Sequence, residues 1–233
     1  MSAGSLTANV ILVHGAWADG SCWSNVIVPL GRQGLTVIAA QIPLTSFTDD
    51  TAAVRRAIER TTGPVTLVAH AYAGAVIAAV GEDRVKSLIY VAALAPSEGE
   101  TVADVFYRAT PHSEAPHLQP DAHGFIWMPD ESFGRAVAHK ASPDQLAVMA
   151  AVQRPISVQC IQEKAPAPAW KTKPSWYLVA EEDRMIPQET QRFMAARMGA
   201  TLRSRMVDHS PMYTAPDLVV DTILTALSET HSK

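Results

Sequence analysis

Short apolar segments alternate with helical patterns along most of this chain. The apolar segments fall at residues 9–14, 36–42, 65–70, 87–94, 175–180 and 201–207. Strands that are apolar on both faces belong in a parallel sheet that helices cover from both sides. Asp49 and Asp50 are suited to cap one such helix, and residues 217–228 carry Val219, Ile223 and Leu227 on one stripe of another. The sequence therefore predicts an α/β fold with a mostly parallel central sheet and helices on both faces.

Residues 96–174 break this alternation. They hold 10 of the 16 prolines and 4 of the 8 histidines, together with several aromatic residues. Repeated prolines exclude a central strand, and a long aromatic-rich excursion between two strands is typical of a lid over a pocket. A helical pattern at 143–152 argues against a disordered insertion. We therefore expect one core, formed by residues 1–95 and 175–233, and a helical cap, formed by residues 96–174, inserted between two strands.

The charge and cysteine content limit the partners of the chain. Its 233 residues carry 19 basic and 23 acidic side chains, a net charge of −4, and contain no run of Lys and Arg. Such a chain is a poor binder of nucleic acids and anionic membranes. Two cysteines, Cys22 and Cys160, suit a reducing compartment, and the amino terminus lacks the pattern of a secretory signal. The expected location is the cytoplasm, with no nucleic-acid or membrane partner.

The segment VTLVAHAYAG, residues 65–74, predicts a strand that turns sharply into a helix. The small residues Ala69 and Ala73 stand two positions before and after Ala71, as the tight turn called a nucleophile elbow requires. The central side chain of such a turn is exposed at the top of the sheet. The next residue, Tyr72, can offer its backbone N–H to an oxyanion. Ala71, however, supplies no nucleophile.

Four separated motifs resemble the α/β-hydrolase superfamily, and in particular its branch of small methylesterases and hydroxynitrile lyases with their bacterial esterase relatives. The motifs are HGAW at 14–17, AHAYAG at 69–74, EDRMIP at 182–187 and DHSPM at 208–212, and residues 133–154 are similar to the family's cap. The family carries a serine at position 71. The resemblance implies that Asp183 is the acid, that His209 is the base and that the loop with Ala16 completes the oxyanion hole. It also implies a homodimer.

The order of position 71, Asp183 and His209 is the order that these hydrolases use. His209 would take the proton of a hydroxyl at position 71, and Asp183 would orient and stabilise the imidazole. Backbone N–H groups of Ala16 and Tyr72 would hold the oxyanion. A neighbouring residue can be the acid instead, because Asp183 lies in an acidic run at 181–183. Asp208 is a further candidate, but it would point away from the site if it and His209 face opposite sides, as adjacent residues of a strand do.

Trp17, Phe106 and Trp127 are the candidates for binding substrate, although core packing would explain these aromatic residues almost as well. We expect His14 to buttress its loop and His70 to be packed or hydrogen-bonded locally. The irregular spacing of three further histidines among prolines favours solvated loops over a metal site: His112, His117 and His123. No metal and no cofactor are expected, because the mechanism is complete without one.

Three explanations of Ala71 are open. The chain can be an esterase that was deliberately inactivated, since Asp183 and His209 have little structural reason to persist alone. It can be a natural lyase or decarboxylase that uses His209 without a nucleophile, or a binding module that keeps only the pocket. The hydroxynitrile lyases usually have a lysine close to the histidine, and this chain has none beside His209. The sequence thus favours a hydrolase of a small, uncharged, partly aromatic carboxylic ester; an ester, a lactone and a thioester fit equally.

Overall fold

The computed structural model describes residues 8–231 and contains eight strands. They are β1 (Asn9–Val13), β2 (Thr36–Ala40), β3 (Val65–His70), β4 (Val85–Val91), β5 (Phe125–Ile126), β6 (Ile156–Ser157), β7 (Ser175–Ala180) and β8 (Thr201–Arg205). Six of them form one parallel sheet in the order β2-β1-β3-β4-β7-β8. The short β5 and β6 pair antiparallel with each other. The predicted fold class is confirmed: the sheet is parallel and helices flank it.

Ten helices connect the strands within the described residues. They are α1 (Ser24–Arg32), α2 (Phe47–Glu59), α3 (Ala73–Ala78), α4 (Val102–Phe106), α5 (Asp130–Ser132), α6 (Pro143–Val152), α7 (Val158–Gln162), α8 (Gln188–Arg197), α9 (Pro211–Thr214) and α10 (Pro216–His231). Single turns of tighter or wider helix are present as well, at Gly20–Trp23, Phe133–Val137 and Ala169–Lys171.

The two faces of the sheet bury two separate apolar cores because side chains alternate along each strand. From β1, Val10 and Leu12 join a core that includes α1 and α10. Ile11 and Val13 point the opposite way, into a larger core with α2, α3 and α8. Both faces of β1 are therefore covered, which explains the continuous apolar runs of the sequence.

The start of α2 differs from the prediction. Ser46 is its N-cap, and the Ser46 Oγ accepts a hydrogen bond of 3.0 Å from the Asp49 backbone N–H. Asp49 and Asp50 lie inside the first turn, where acidic residues are stabilised by the helix dipole. Asp49 is exposed, whereas Asp50 is fully buried. The prediction that both residues cap this helix is wrong, because a better cap precedes them.

The chain between β4 and β7 contains four of the short helices, α4 to α7, and the β5–β6 pair. Contacts along its length attach it to the rest of the molecule. Arg197 Nη1 of α8 binds Glu100 Oε2 at 2.8 Å, the backbone N–H of Ser157 donates to Leu44 O at 2.9 Å, and that of Lys140 donates to Asp208 Oδ2 at 3.0 Å. The division into core and cap remains a prediction.

Residues 1–7, on which the expectation about the amino terminus depends, lie outside the described residues. Over residues 8–231 no helix is long and apolar enough to span a membrane.

Several residues with strained backbone conformations lie at the carboxyl edge of the sheet. From β1 the chain passes to β2 on one side and then to β3 on the other, and ligands of parallel sheets bind at such a reversal. Among the described residues, non-glycine residues with positive φ follow each of the first four strands: Trp17 (56°), Leu44 (60°), Ala71 (49°) and Ala92 (45°). Ala92 also explains why β4 ends at Val91, before the expected residue 94. Strain of this kind clusters at functional sites.

Candidate active site

Ala71 stands at the apex of the turn between β3 and α3. Two glycines let neighbouring backbone approach this turn. A Cβ on Gly15 would lie 3.0 Å from the Ala71 Cβ, and one on Gly74 would lie 2.3 Å from the carbonyl oxygen of Leu94. The loop after β1 therefore lies directly against the elbow, and the first turn of α3 packs tightly against the segment that follows β4. Ala71 faces an apolar cavity.

Asp183 and His209 meet beside the same cavity. The Nδ1 atom of His209 donates to Asp183 Oδ2 at 2.7 Å, and both residues are buried. Asp183 follows β7 and His209 follows β8, so the two adjacent strands bring them together. The other carboxylate oxygen, Oδ1, accepts hydrogen bonds from the backbone N–H groups of Met185 at 2.7 Å and Ile186 at 2.8 Å. These bonds fix the carboxylate, which in turn orients the imidazole.

The other candidate acids are engaged elsewhere. Glu181 pairs with Arg192, and Glu182 pairs with Lys140. Asp208 accepts hydrogen bonds from the Ser210 and Lys140 backbone N–H groups and from the Thr214 hydroxyl. Of the carboxylates in the described part of the chain, Asp183 alone binds the His209 ring.

Gln191 is part of this arrangement, and the sequence analysis did not single it out. It lies on α8 and is fully buried. Its side-chain Nε2 donates to Asp183 Oδ2 and to the Ile186 carbonyl oxygen, both at 2.8 Å, and its Oε1 accepts from the Ala180 backbone N–H at 3.0 Å. Gln191 therefore joins the end of β7 to the loop that carries Asp183. A polar residue in a helical pattern gives no sequence signal for such a role.

His70 supports His209 from the elbow. Its Nε2 donates to the His209 carbonyl oxygen at 2.7 Å, and the two rings lie 4.6 Å apart. Burial lowers the pKa of His70 well below its ordinary value, so the ring is neutral and its single proton lies on Nε2. His70 is packed, as one of the two expected alternatives states, but its hydrogen bond is not local, because the partner is 139 residues away in the chain.

His14 holds the loop after β1, as expected of a buttressing residue. Its Nδ1 donates to the Gly15 carbonyl oxygen at 2.9 Å, and its Nε2 accepts from the Ile42 backbone N–H at 3.2 Å. Burial lowers the pKa of His14 to about 4, so the ring is neutral. His14 thus links the loop after β1 to the loop after β2.

The backbone N–H groups of Ala16 and Tyr72 are available for a ligand. Both residues line the cavity. Within residues 8–231, neither N–H donates a hydrogen bond to another group of the protein. Trp17, next to Ala16, also lines the cavity, and its indole N–H donates to the Ile126 carbonyl oxygen at 2.9 Å. That bond ties the loop after β1 to β5.

The cavity contains about 890 Å³ of atom-free space, including its open mouth. Phe106 lines it, as predicted, together with several residues that sequence reasoning did not select: Leu118, Ile126, Phe133, Met149, Ile156 and Ile161. Trp127 does not. Its side chain is 51% exposed and its indole N–H donates to Asp121 Oδ2 at 3.2 Å. The prediction that Trp127 binds substrate is corrected, since Ile126 of β5 faces inward and its neighbour faces outward.

The histidines between β4 and β5 make local contacts. The Glu114 backbone N–H donates to His112 Nδ1 at 3.0 Å, and His117 Nε2 lies 2.9 Å from the Gln119 side-chain nitrogen. Over the part of the chain that the structure describes, no group of three or more His, Cys, Asp or Glu side chains could hold a metal ion.

Comparison with known proteins assigns the chain to a family. The model of the alpha/beta hydrolase family matches residues 10–222, and the chain belongs to that family. It is 27% identical to alpha/beta hydrolase nvfD of Aspergillus novofumigatus (strain IBT 16806) over 246 residues, 94% of this chain and 96% of that protein.

Two solved structures illustrate the shared fold. A pyrethroid hydrolase from Sphingobium faniae JZ-2 superimposes with a TM-score of 0.83 at 21% identity, covering 97% of this chain and 100% of that chain. A methylesterase from Arabidopsis gives a TM-score of 0.78 at 17% identity, covering 95% and 99%. The resemblance to methylesterases and other esterases is thereby confirmed at the level of the fold.

Proposed function

We propose that the site is that of a carboxylic ester hydrolase in which alanine stands in place of the nucleophilic serine, so that this chain is an inactivated form that binds ester. The observation that carries the proposal is the His209–Asp183 hydrogen bond of 2.7 Å beside a cavity that Ala71 faces from a nucleophile elbow. Similarity to a methylesterase and a pyrethroid hydrolase supports ester chemistry. A homodimer, and a cap formed by residues 96–174 that closes the cavity, belong to the same proposal.

With serine at position 71, the residues present suffice for acyl transfer. His209 Nε2 takes the hydroxyl proton as the oxygen attacks the ester carbonyl, and Asp183 stabilises the imidazolium. The N–H groups of Ala16 and Tyr72 bind the oxyanion. The tetrahedral intermediate collapses, and the alcohol leaves with the proton from His209. Water, deprotonated by His209, then releases the acid and regenerates the hydroxyl.

The cavity favours an uncharged substrate. Among the described residues that line it there is no Lys, Arg, Asp or Glu, and the polar side chains are few, including His70, His209 and Ser210. A charged ligand would lose its hydration there without gaining an ion pair. The substrate class is therefore a neutral ester with an apolar, partly aromatic body.

The test is Ala71→Ser. Because a missing triad serine typically lowers kcat about a millionfold, the substitution should raise hydrolysis of 4-nitrophenyl butyrate by several orders of magnitude. His209→Ala in that background should remove most of the gain, and Asp183→Asn should remove a similar amount or less. His139→Ala is the matched control, because this half-buried histidine lies outside the cavity. Release of 4-nitrophenolate and intact-protein mass spectrometry for an acyl adduct at position 71 are the measurements.

A folded Ala71→Ser protein that forms no adduct and hydrolyses none of a broad ester panel would refute the proposal. Robust turnover by the chain with Ala71, free of contaminating esterase, would instead favour a lyase or decarboxylase that uses the His209–Asp183 pair as a base. Ligand binding without activity in either form would favour a binding module.

A further inference from the structure

A buried carboxylate, Asp50, binds the side chain of Tyr72, the residue that follows Ala71 in the elbow. Asp50 belongs to the first turn of α2 and has no exposed surface. It shares a helix face with Val54 and Ile58, which are core residues. An acidic side chain on an apolar face is costly unless its oxygens are hydrogen-bonded.

Asp50 has three hydrogen-bond donors around it. The Leu44 backbone N–H donates to its Oδ1 at 2.7 Å, the Tyr72 hydroxyl donates to its Oδ2 at 2.7 Å, and the Cys160 thiol donates to the same Oδ2 at 3.5 Å. The donors come from three different segments: the loop after β2, the elbow and α7. One carboxylate therefore joins these segments at a single buried point.

Tyr72 connects this point to the cavity. Its backbone N–H is one of the two proposed oxyanion donors, and its side chain extends to Asp50. The residue is 3% exposed, so its ring is enclosed. A residue held both at its backbone and at the end of its side chain has little freedom to rotate, which is what an oxyanion donor requires.

The same carboxylate reaches the segment between β4 and β7. Leu44, whose N–H binds Asp50, has a φ of 60°, and its carbonyl oxygen accepts from the Ser157 backbone N–H of β6 at 2.9 Å. Cys160 of α7 adds the second connection. The walls of the cavity that come from β6 and α7 are thus fixed relative to the elbow by contacts that converge on Asp50.

We propose that Asp50 is a positioning residue that acts through Tyr72. It holds the backbone N–H of Tyr72 in the orientation that stabilises the oxyanion, and it fixes the β6–α7 segment relative to the elbow. The kinetic part of this inference rests on the proposed ester hydrolysis.

The kinetic test uses the Ala71→Ser protein and 4-nitrophenyl butyrate. Tyr72→Phe removes only the hydroxyl, and Asp50→Leu removes the acceptor at similar volume. Each should lower kcat about tenfold to a hundredfold, the effect of a small misplacement, with KM changed less than about twofold. Asp50→Asn, which keeps an acceptor oxygen, should recover most of kcat. The Asp50→Leu/Tyr72→Phe double variant should be no worse than the more impaired single variant, because both remove one hydrogen bond.

Asp49→Asn is the matched control, since Asp49 is the exposed neighbour on the same turn. Its kcat should equal that of the parent. If the losses of kcat in the two single variants add in the double variant, or if the single variants raise KM rather than lower kcat, the proposal is overturned. Tyr72→Phe keeps it testable if Asp50→Leu does not fold.

A second measurement is independent of ester hydrolysis. In the chain with Ala71, hydrogen–deuterium exchange of a peptide spanning residues 69–75 should accelerate about tenfold or more in Tyr72→Phe and remain unchanged in Asp49→Asn. Faster exchange with an inactive Ala71→Ser protein would refute the ester hydrolase and retain the positioning role. Unchanged exchange in Tyr72→Phe would refute the positioning role whatever the activity.

Discussion

Ala71 combines a strained backbone with a side chain that has no reactive atom. Its φ of 49° is in the left-handed region, which costs a non-glycine residue about 1 kcal/mol or more. The turn keeps this geometry because Gly15 and the α3 helix enclose it, and the His209–Asp183 pair beside it is intact. These features support the proposal that the site binds a ligand even though it lacks a nucleophile.

Binding without turnover is the expected behaviour of the chain as it stands. A neutral ester such as phenyl butyrate, at about a hundred times its Kd, should stabilise the fold by about 2.7 kcal/mol and raise Tm by several degrees. The charged 4-nitrophenyl phosphate is the control and should give no shift, because none of the described residues that line the cavity is Lys or Arg. Differential scanning fluorimetry with product analysis checks both points. Equal shifts with the two compounds would contradict the apolar character of the site.

Sequence patterns identify residues whose role depends on the local turn and miss those whose role depends on distant partners. Ala71, Asp183 and His209 follow from motifs; in the structure Ala71 and His209 line one cavity, and Asp183 binds the His209 ring. Gln191 and Asp50 do not, because a side chain gains such a role only when another strand or helix supplies its partners. One signal was nevertheless present for Asp50: it falls on the apolar stripe with Val54 and Ile58.

At the scale of the elements, the apolar runs predict the strands well because both faces of the sheet are covered. Their carboxyl ends are less predictable. The turn at Ala92 ends β4 through a positive φ, which an alanine gives no reason to expect. The two-residue β5 is too short to show a period, so the sequence does not indicate that Ile126 faces the cavity and Trp127 faces the solvent.

This alternation gives a matched pair of substitutions at the cavity wall. In the Ala71→Ser background, Phe106→Ala should change the ratio of kcat/KM values for 4-nitrophenyl butyrate and 4-nitrophenyl benzoate about tenfold, since pocket contacts of this size are worth about 1–3 kcal/mol. Trp127→Ala should leave the ratio unchanged, because its side chain lies at the surface. A changed ratio in Trp127→Ala, or none in Phe106→Ala, would contradict the assignment of the lining.

At the scale of the whole molecule, His14 and Asp50 make the unfolding free energy depend on pH in opposite directions. Burial lowers the pKa of His14 from 6.5 to about 4, so the unfolded chain takes up a proton that the native protein refuses. The contribution of neutral, buried His14 to the unfolding free energy is fully present above pH 6.5 and is lost as pH falls toward 4.

Burial raises the pKa of Asp50 from 3.8 to about 6. The native protein then holds a proton that the unfolded chain releases, and the stability gained from it disappears as pH rises through 6.

Two substitutions separate these effects. Between pH 7.5 and pH 4.5, the His14 contribution should fall by about 3 kcal/mol, and that of Asp50 should rise by about 2 kcal/mol. Relative to the parent, His14→Gln should therefore be less destabilising at pH 4.5 than at pH 7.5, and Asp50→Asn should be more destabilising at pH 4.5. Urea unfolding at the two pH values measures both differences, with His117→Gln as the matched surface control. If the destabilisation caused by the two substitutions changes in the same direction between the two pH values, the charge states inferred for His14 and Asp50 are wrong. Opposite shifts would show that the native protein keeps His14 neutral and protonates Asp50 at mildly acidic pH.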